Sequence, residues 1–236
     1  SAVFLLSNAD AGESDALSAG DEFVVNDVKY RVLTLDVGEN NTVEIKRHTD
    51  VINELHIPVY VDYDGKRFYI VSIGDYAFAH FKLTSVVFAE GSKITSIGKN
   101  SFYSCDYLSN FKFSSDSKVT NIGESAFRLT KRISSIIIPS SVTTIGQEAF
   151  VNCGGLEISV ESGNKNYTSL DGMLFDKNKE TLIKGCDRQS VIIPSSVTSI
   201  GQSAFLACKN LKYIDIPSSV TSIETAAFAL CYSLKY

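Results

Sequence analysis

A thirteen-residue phrase occurs three times in this chain of 236 residues, with only small changes. It is IPSSVTTIGQEAF at 138–150, IPSSVTSIGQSAF at 193–205 and IPSSVTSIETAAF at 216–228. A single enclosed active site needs different side chains on each wall, whereas a solenoid needs the same shape in every coil, because each coil packs on the next. The repetition therefore predicts a solenoid, and it is the first indication of function.

The pair Ile-Gly sets the register of the repeat. Its intervals along the chain are 24, 25, 23, 55 and 23 residues, so the long interval holds one coil of 23 residues and 32 further residues. The marks are Ile73-Gly74, Ile97-Gly98, Ile122-Gly123, Ile145-Gly146, Ile200-Gly201 and Ile223-Glu224, where glutamate replaces glycine. The sequence thus predicts stacked coils with one insertion.

Each glycine position is followed by phenylalanine after four residues, by a small or apolar residue after seven and, in most coils, by leucine or isoleucine after ten. This spacing predicts a short helical turn with an apolar face. Alternating residues such as Ile136 and Ile138 predict a strand, and a following proline such as Pro139 ends it. One coil is therefore predicted to be strand, turn, extended segment and helical turn, with its apolar residues buried against the next coil.

The pattern L-x-x-I-x-I-P-S-S-V-T-S-I-G-x-x-A-F-x-x-C, taken from Leu211 onward and across the preceding copies, resembles the BspA-type leucine-rich repeat of bacterial and some protozoan surface proteins. The resemblance covers residues 68–236 and implies an α/β solenoid with short strands and helical turns. Two positions depart from the pattern, since Glu224 stands in place of glycine and Thr130 in place of the usual cysteine.

Two further segments are similar to parts of the same family. Residues 23–67 resemble its β-rich N-terminal capping segment, which would cover the open edge of the first coil. An insertion at about 161–190 resembles its β-hairpin, with β runs at 173–175 and 181–183 on either side of a turn at 176–179. The sequence therefore predicts a capped solenoid with a hairpin between two coils.

The two ends of the chain carry separate expectations. Residues 1–22 form an acidic leader whose first part, with its apolar run and small residues, is either the remnant of a signal peptide or a segment packed on the first repeat. The chain stops partway into a strand, which would leave an unpaired edge. This edge suggests a fragment of a longer array or a face for end-to-end self-association.

Charge and hydropathy exclude two classes of partner. The net charge is −5 and there is no run rich in lysine or arginine, so the attraction that gathers a protein onto nucleic acid is missing. No stretch approaches the roughly 18 consecutive apolar residues of a membrane-spanning helix. We therefore expect neither nucleic acid nor membrane insertion.

Four of the five cysteines occupy one slot of the repeat, seven residues after the glycine position: Cys105, Cys153, Cys208 and Cys231. Thr130 and Phe81 stand in the same slot, which a metal ligand would not tolerate, so these cysteines are predicted to pack as small buried hydrophobes. Oxidation of Cys208 with Cys231, in neighbouring coils, stays open. Cys186 lies outside the slot and has no C-x-x-C partner for zinc.

No residue pattern supports catalysis. The histidines, His48, His56 and His80, lack metal-ligand spacing, and the repeated serines lack the second glycine of a nucleophile elbow. There is no glycine-rich phosphate loop and no alternating set of calcium ligands. The sequence thus predicts a protein that is not an enzyme and that uses no cofactor.

What remains is the surface of the strands. In each strand the residue between two inward apolar positions should face outward, and we predict binding through such residues and two that flank them: Lys112, Ile137, Ile192, Lys212, Tyr213 and Asp215. The two outward isoleucines could form a binding patch. Alternatively they are residues of high β-propensity without a partner, or they are covered by the hairpin.

The resemblance implies a cell-surface or secreted protein of a host-associated microbe, with adhesion to host proteins or other cells. The expected partner is an extracellular protein or glycan, because a solenoid offers a wide, shallow surface and no deep pocket. The alternative is a structural spacer that displays another domain. Exposed aromatic or apolar residues along one face would favour adhesion, and a uniformly polar surface would favour the spacer.

Overall fold

The computed structural model describes residues 17–36, 40–48 and 52–235, so most of the predicted leader lies outside the described residues. Within these ranges the chain forms twenty short β-strands joined by turns and contains no helix. Most strand pairs outside the N-terminal segment and the insertion are parallel, as in a solenoid.

The N-terminal segment is rich in strands, as expected of a cap: β1 (Glu22–Val25), β2 (Val28–Thr34), β3 (Asn41–His48), β4 (Glu54–Ile57), β5 (Tyr60–Tyr63) and β6 (Lys66–Ile73). The turn between β1 and β2 consists of Asn26 and Asp27, with φ values of 48° and 62°. Positive φ at both positions matches the twist of a two-residue hairpin, and Asn and Asp tolerate it. Asp64 and Gly65 join β5 to β6 in the same way.

The remaining strands form the coils and the insertion: β7 (Ser85–Phe88), β8 (Ser96–Ile97), β9 (Asn110–Lys112), β10 (Asn121–Ile122), β11 (Ser135–Ile138), β12 (Thr144–Ile145), β13 (Glu157–Val160), β14 (Tyr167–Leu170), β15 (Met173–Asp176), β16 (Thr181–Lys184), β17 (Ser190–Ile192), β18 (Ser199–Ile200), β19 (Tyr213–Asp215) and β20 (Ser222–Ile223). Each regular coil contributes one strand of three or four residues and one strand of two residues. We call the strands β4, β7, β9, β11, β13, β17 and β19 the strand face. The second ladder is the two parallel rows β3, β6, β8, β10, β12 and β16, β18, β20.

The expected helical turns are wrong, because the segment after each Ile-Gly mark is a series of β-turns. Tyr76 and His80, two and six residues after Gly74, have φ values of 57° and 66°, and the equivalent residues of the other coils share this sign. As a result, successive backbone amides donate in turn to a carbonyl oxygen of their own coil and to one of the next coil. Ala77 donates within its coil to Gly74 at 3.3 Å, whereas Phe78 donates to Ser101 of the next coil at 2.8 Å. A helix would keep all these bonds within one coil, so the turns join the coils in a way that a helix cannot.

The phenylalanine of each coil packs in the interior, as the repeat predicts. It is buried in every coil but the last, where Phe228 is half-buried, and the rings of neighbouring coils stack except across the insertion. The rings of Phe78 and Phe102 are 5.5 Å apart and nearly parallel, and the stack continues through Phe127 to Phe150 at similar distances. Phe205 and Phe228 form a second stack at 5.1 Å. The buried apolar residues form two clusters that correspond to these two stacks. The insertion therefore divides the core.

The hairpin insertion is confirmed and has one strand more than expected. β15 and β16 pair antiparallel over the predicted runs, and β14 pairs with the other edge of β15. β16 also pairs in parallel with β18, so the last strand of the insertion rejoins the second ladder. Asn164 anchors the start of the insertion, since its buried amide donates to the carbonyl oxygens of Pro139 and Val142 at 2.9 and 3.0 Å.

The five cysteines are free thiols, including Cys208 and Cys231. Four of them are buried and Cys231 is half-buried. This agrees with the predicted packing role, and the structure holds no disulfide between neighbouring coils.

Candidate functional site

The strand face consists of three separate parallel sheets. These are β4-β7-β9, β11-β13 and β17-β19. The first break, between β9 and β11, lies where the loop from the strand to Ile-Gly shortens by two residues, from the form FSSDSKVTNIG to the form IPSSVTTIG. The second break, between β13 and β17, lies where the insertion enters. The strand face is therefore interrupted rather than continuous.

The predicted outward positions are exposed, as the strand alternation requires. Ile137 is 60% exposed and Ile192 is 72% exposed, while the residues on either side of Ile137 in β11 are buried. Lys112 and Asp215 are also exposed, and Tyr213 is 46% exposed. Their roles in binding stay a prediction, since exposure alone does not identify a partner.

The structure groups the six predicted residues into two places. Lys112 and Ile137 both line a groove of about 370 Å³ at the break between β9 and β11. The other four lie on or beside β17 and β19, where the register pairs Ile192 with Asp215. Lys212 is half-buried, and its backbone amide donates to Gln189 at 2.9 Å, so it is the least accessible of the set.

The insertion packs beside β13 and leaves both outward isoleucines open. The amide of Ile158 donates to Gly172 at 2.9 Å, and Arg188 forms an ion pair with Glu157 at 2.6 Å. These contacts hold the hairpin against β13, between the two predicted groups. Because Ile137 and Ile192 retain most of their exposure, the hairpin does not cover them.

A second set of side chains, all exposed except the half-buried Tyr103, lies on the turns and was missed by the sequence reasoning. Tyr76 is exposed, His80 contacts the ring of Tyr103 edge-on at 5.2 Å, and Arg132 lies 4.8 Å from the centre of the Tyr107 ring. All five occupy variable positions of the repeat between the fixed apolar ones. That variability is the signal that would have found them, since the fixed positions are used for packing.

No group of three or more His, Cys, Asp or Glu side chains in the described ranges is arranged to hold a metal ion. None of these residues belongs to a helix that is long and apolar enough to cross a bilayer.

Comparisons with known proteins agree with the geometry. The sequence profile of the BspA type Leucine rich repeat region matches residues 67–182 and 178–236, with six copies. No curated protein matches the chain.

Several solved structures share the fold. The pneumococcal vaccine antigen PcpA is 22% identical with a TM-score of 0.67, over 93% of this chain and 70% of that one. A leucine-rich repeat protein from Eubacterium ventriosum is 23% identical with a TM-score of 0.61, over 92% of this chain and 72% of that one. The leucine-rich repeat protein of T. pallidum is 19% identical with a TM-score of 0.51, over 91% of both chains.

The family profile covers well over half of the chain, and the matched residues include the coils seen in the structure. The chain therefore belongs to the BspA-type leucine-rich repeat family.

Proposed function

We propose that this chain is a non-enzymatic binding module that acts at the cell surface or after secretion. It binds an extracellular protein or glycan through the strand face, and adhesion to host proteins or other cells is the role that such binding serves. The observation that carries the proposal is the exposure of Ile137, Ile192 and Tyr213 on this face.

Exposed apolar side chains on a strand face favour binding over a spacer role. Burial of an isoleucine contributes about 1.5–3 kcal/mol, so leaving two of them in water forgoes stability unless a partner covers them. Tyrosine is enriched at the centres of protein interfaces, and Tyr213 lies on the strand next to Ile192. A spacer would need only polar residues at these positions.

Two comparisons support the location and the type of role. The chain belongs to a family that includes bacterial surface proteins, and a structural neighbour is a pneumococcal vaccine antigen. Shallow solenoid surfaces suit large partners better than small substrates. The absence of any catalytic pattern in the sequence is consistent with such a role.

The test is binding of the purified chain to a panel of host extracellular-matrix proteins and glycans, measured by surface plasmon resonance. We expect saturable binding to at least one of them, weakened about tenfold or more by Ile137→Ser, Ile192→Ser and Tyr213→Ser combined. Val24→Ser is the matched control, because Val24 is an exposed apolar residue of the cap. Full binding by the folded triple variant would show that the strand face is not the binding surface. If the wild-type chain binds nothing on the panel, the result would favour the spacer role.

End-to-end self-association is part of the same proposal. Ile223 of β20 is 53% exposed, and β20 pairs only with β18 among the described strands. Light scattering across a concentration series should detect dimers that Ile223→Lys abolishes. A chain that stays monomeric at high concentration would contradict this part.

A further inference from the structure

A cavity lies at the seam between the coil of Gly146 and the coil of Gly201, where the insertion interrupts the stack. We call it the seam cavity. Its volume is about 370 Å³, which is within the range of small-molecule sites in proteins. The walls come from the turn after Ile145, from the insertion, to which Tyr167 and Lys184 belong, and from the two coils after it, which contribute Gly201 and Glu224.

The first wall presents backbone amides that have lost their usual acceptors. In the coil before it, Ser125, Phe127 and Leu129 donate their amides to the next coil at 2.8–3.0 Å. The equivalent amides of Glu148, Phe150 and Asn152 have no hydrogen-bond acceptor among the described residues, although their turns have the same backbone shape. Glu148 and Phe150 line the cavity. Phe150 is 3% exposed, whereas Glu148 and Asn152 are half-buried. Amides without acceptors are rare at buried positions, so an acceptor is expected at Phe150.

The opposite wall presents a buried ammonium group. Lys184 is 5% exposed, and within the described ranges the only hydrogen bond of its side chain runs from Nζ to the carbonyl oxygen of Gly185 at 2.5 Å. No carboxylate forms an ion pair with it there. A buried lysine without a paired anion is costly, and its remaining N–H groups can serve a bound acceptor.

The carboxylates near the cavity limit the charge that it can accept. Glu148 is already engaged, since it pairs with Arg128 and accepts hydrogen bonds from Gln202 and Ser203 at 3.4 and 3.2 Å. Glu224 also lines the cavity and is exposed. Because Arg128 compensates Glu148, Glu224 is the carboxylate of the lining that opposes a doubly charged ligand such as phosphate, whereas a single charge is matched by Lys184.

The rest of the lining is largely apolar. Ile145, Val151 and Ile183 contribute aliphatic surface, and Tyr167 contributes its ring while its hydroxyl accepts a hydrogen bond from the Ile145 amide at 2.9 Å. A ligand with one carboxylate and a short apolar tail would match both parts of the lining.

We propose that the seam cavity binds a small organic carboxylate, with its charged end on Lys184 and the unpaired amides of the Glu148 turn and its apolar tail against Ile145 and Ile183. This site is independent of the strand face. It would join the two halves of the core, because the ligand replaces the hydrogen bonds that the insertion removes.

The test is an amide NMR titration of the whole chain with butanoate, with butanamide as a neutral probe of the same shape and inorganic phosphate as a doubly charged one. We expect saturable shifts of the Glu148, Phe150 and Asn152 amide signals with butanoate, and much weaker binding of both other probes. Equal responses to butanoate and butanamide would overturn the proposal, as would the absence of saturable shifts at these amides.

Two variants locate the site. Lys184→Met should weaken butanoate binding about tenfold or more, whereas Lys165→Met, which removes an exposed lysine of the same insertion, should have no effect. Ile183→Phe keeps every charge and fills the cavity, so it should abolish binding even if Lys184→Met does not fold. Wild-type affinity in a folded Lys184→Met or Ile183→Phe variant would refute the site. Neither variant should alter binding to matrix proteins, which separates this result from the proposed function.

Discussion

The thiol of Cys105 lies 3.1 Å from the backbone carbonyl oxygen of Phe78, in the preceding coil. Cys153 and Cys231 make the same contact with Phe127 and Phe205, each at 3.0 Å. The repeated cysteine slot therefore does more than fill space, because its thiol joins one coil to the carbonyl of the coil before it. Cys208 makes no such contact, because its preceding coil lies across the insertion.

Replacement of Cys105 should show this double role. Cys105→Ala removes both buried volume and the donor to Phe78, and we expect the free energy of unfolding to fall by about 2 kcal/mol. Cys105→Thr should lower the free energy of unfolding by less than this, because Thr130 occupies the same slot of the next coil and is fully buried there. Urea unfolding measures both values. A threonine variant less stable than the alanine variant would contradict this view of the slot.

The buried thiols also predict a loss of stability in alkali. Burial raises the pKa of Cys105 from 9.0 to about 12, and burial has the same effect on Cys208. The folded chain then holds protons that the unfolded chain releases, so stability is complete below about pH 9 and falls by roughly 1.4 kcal/mol per pH unit for each thiol as pH rises toward 12. Thermal unfolding from pH 8 to 11 should show this fall. Cys105→Ala should make it shallower, and an unchanged slope would contradict the assignment.

The glycine of the five Ile-Gly marks is needed for close approach between coils. A Cβ atom on Gly146 would lie 2.3 Å from the backbone nitrogen of Glu124, whereas one on Gly155 would meet nothing within 4 Å. We expect Gly146→Ala to destabilise the chain by several kcal/mol, about 3 or more, because backbone must move to accept it. Gly155→Ala, the matched control, should change stability by less than about 1 kcal/mol. If the two variants lose equal stability in chemical denaturation, close approach between coils does not require glycine at position 146.

The divided core predicts two unfolding steps. Phe102 belongs to the first cluster and Phe205 to the second, and no ring contact joins Phe150 to Phe205. Phe102→Ala should therefore lower the free energy of unfolding of one transition in urea by about 3–5 kcal/mol, and Phe205→Ala should lower that of the other transition by a similar amount. A single transition that both variants shift equally would show that the two parts unfold as one unit.

The sequence predicted the parts of the fold that each coil repeats. Period, phenylalanine packing and proline positions followed from residues that every neighbour must match. The hairpin is not repeated, and it followed from its own strand and turn signals and from the resemblance to the family. The turns could not be predicted, because the Phe-to-Cys spacing is the same in a helix and in consecutive β-turns. Only the positive φ at residues such as Tyr76 and His80, which are not glycine, distinguishes the two.

The candidate site was predictable in part. Strand alternation placed Ile137 and Ile192 outward, and the structure agrees. The breaks in the strand face and the seam cavity were not predictable, because they arise where neighbouring coils differ in length or are separated by the insertion. A repeat pattern describes what coils share, whereas these features depend on where they differ.

Hydroxyl-radical footprinting of the chain, free and bound to a matrix partner, tests the central claim most directly. The account predicts that oxidation of Ile137, Ile192 and Tyr213 falls severalfold on binding while that of Tyr76 and Tyr107 on the turns is unchanged. Unchanged oxidation of the three strand-face residues, with protection of the turn tyrosines instead, would contradict it.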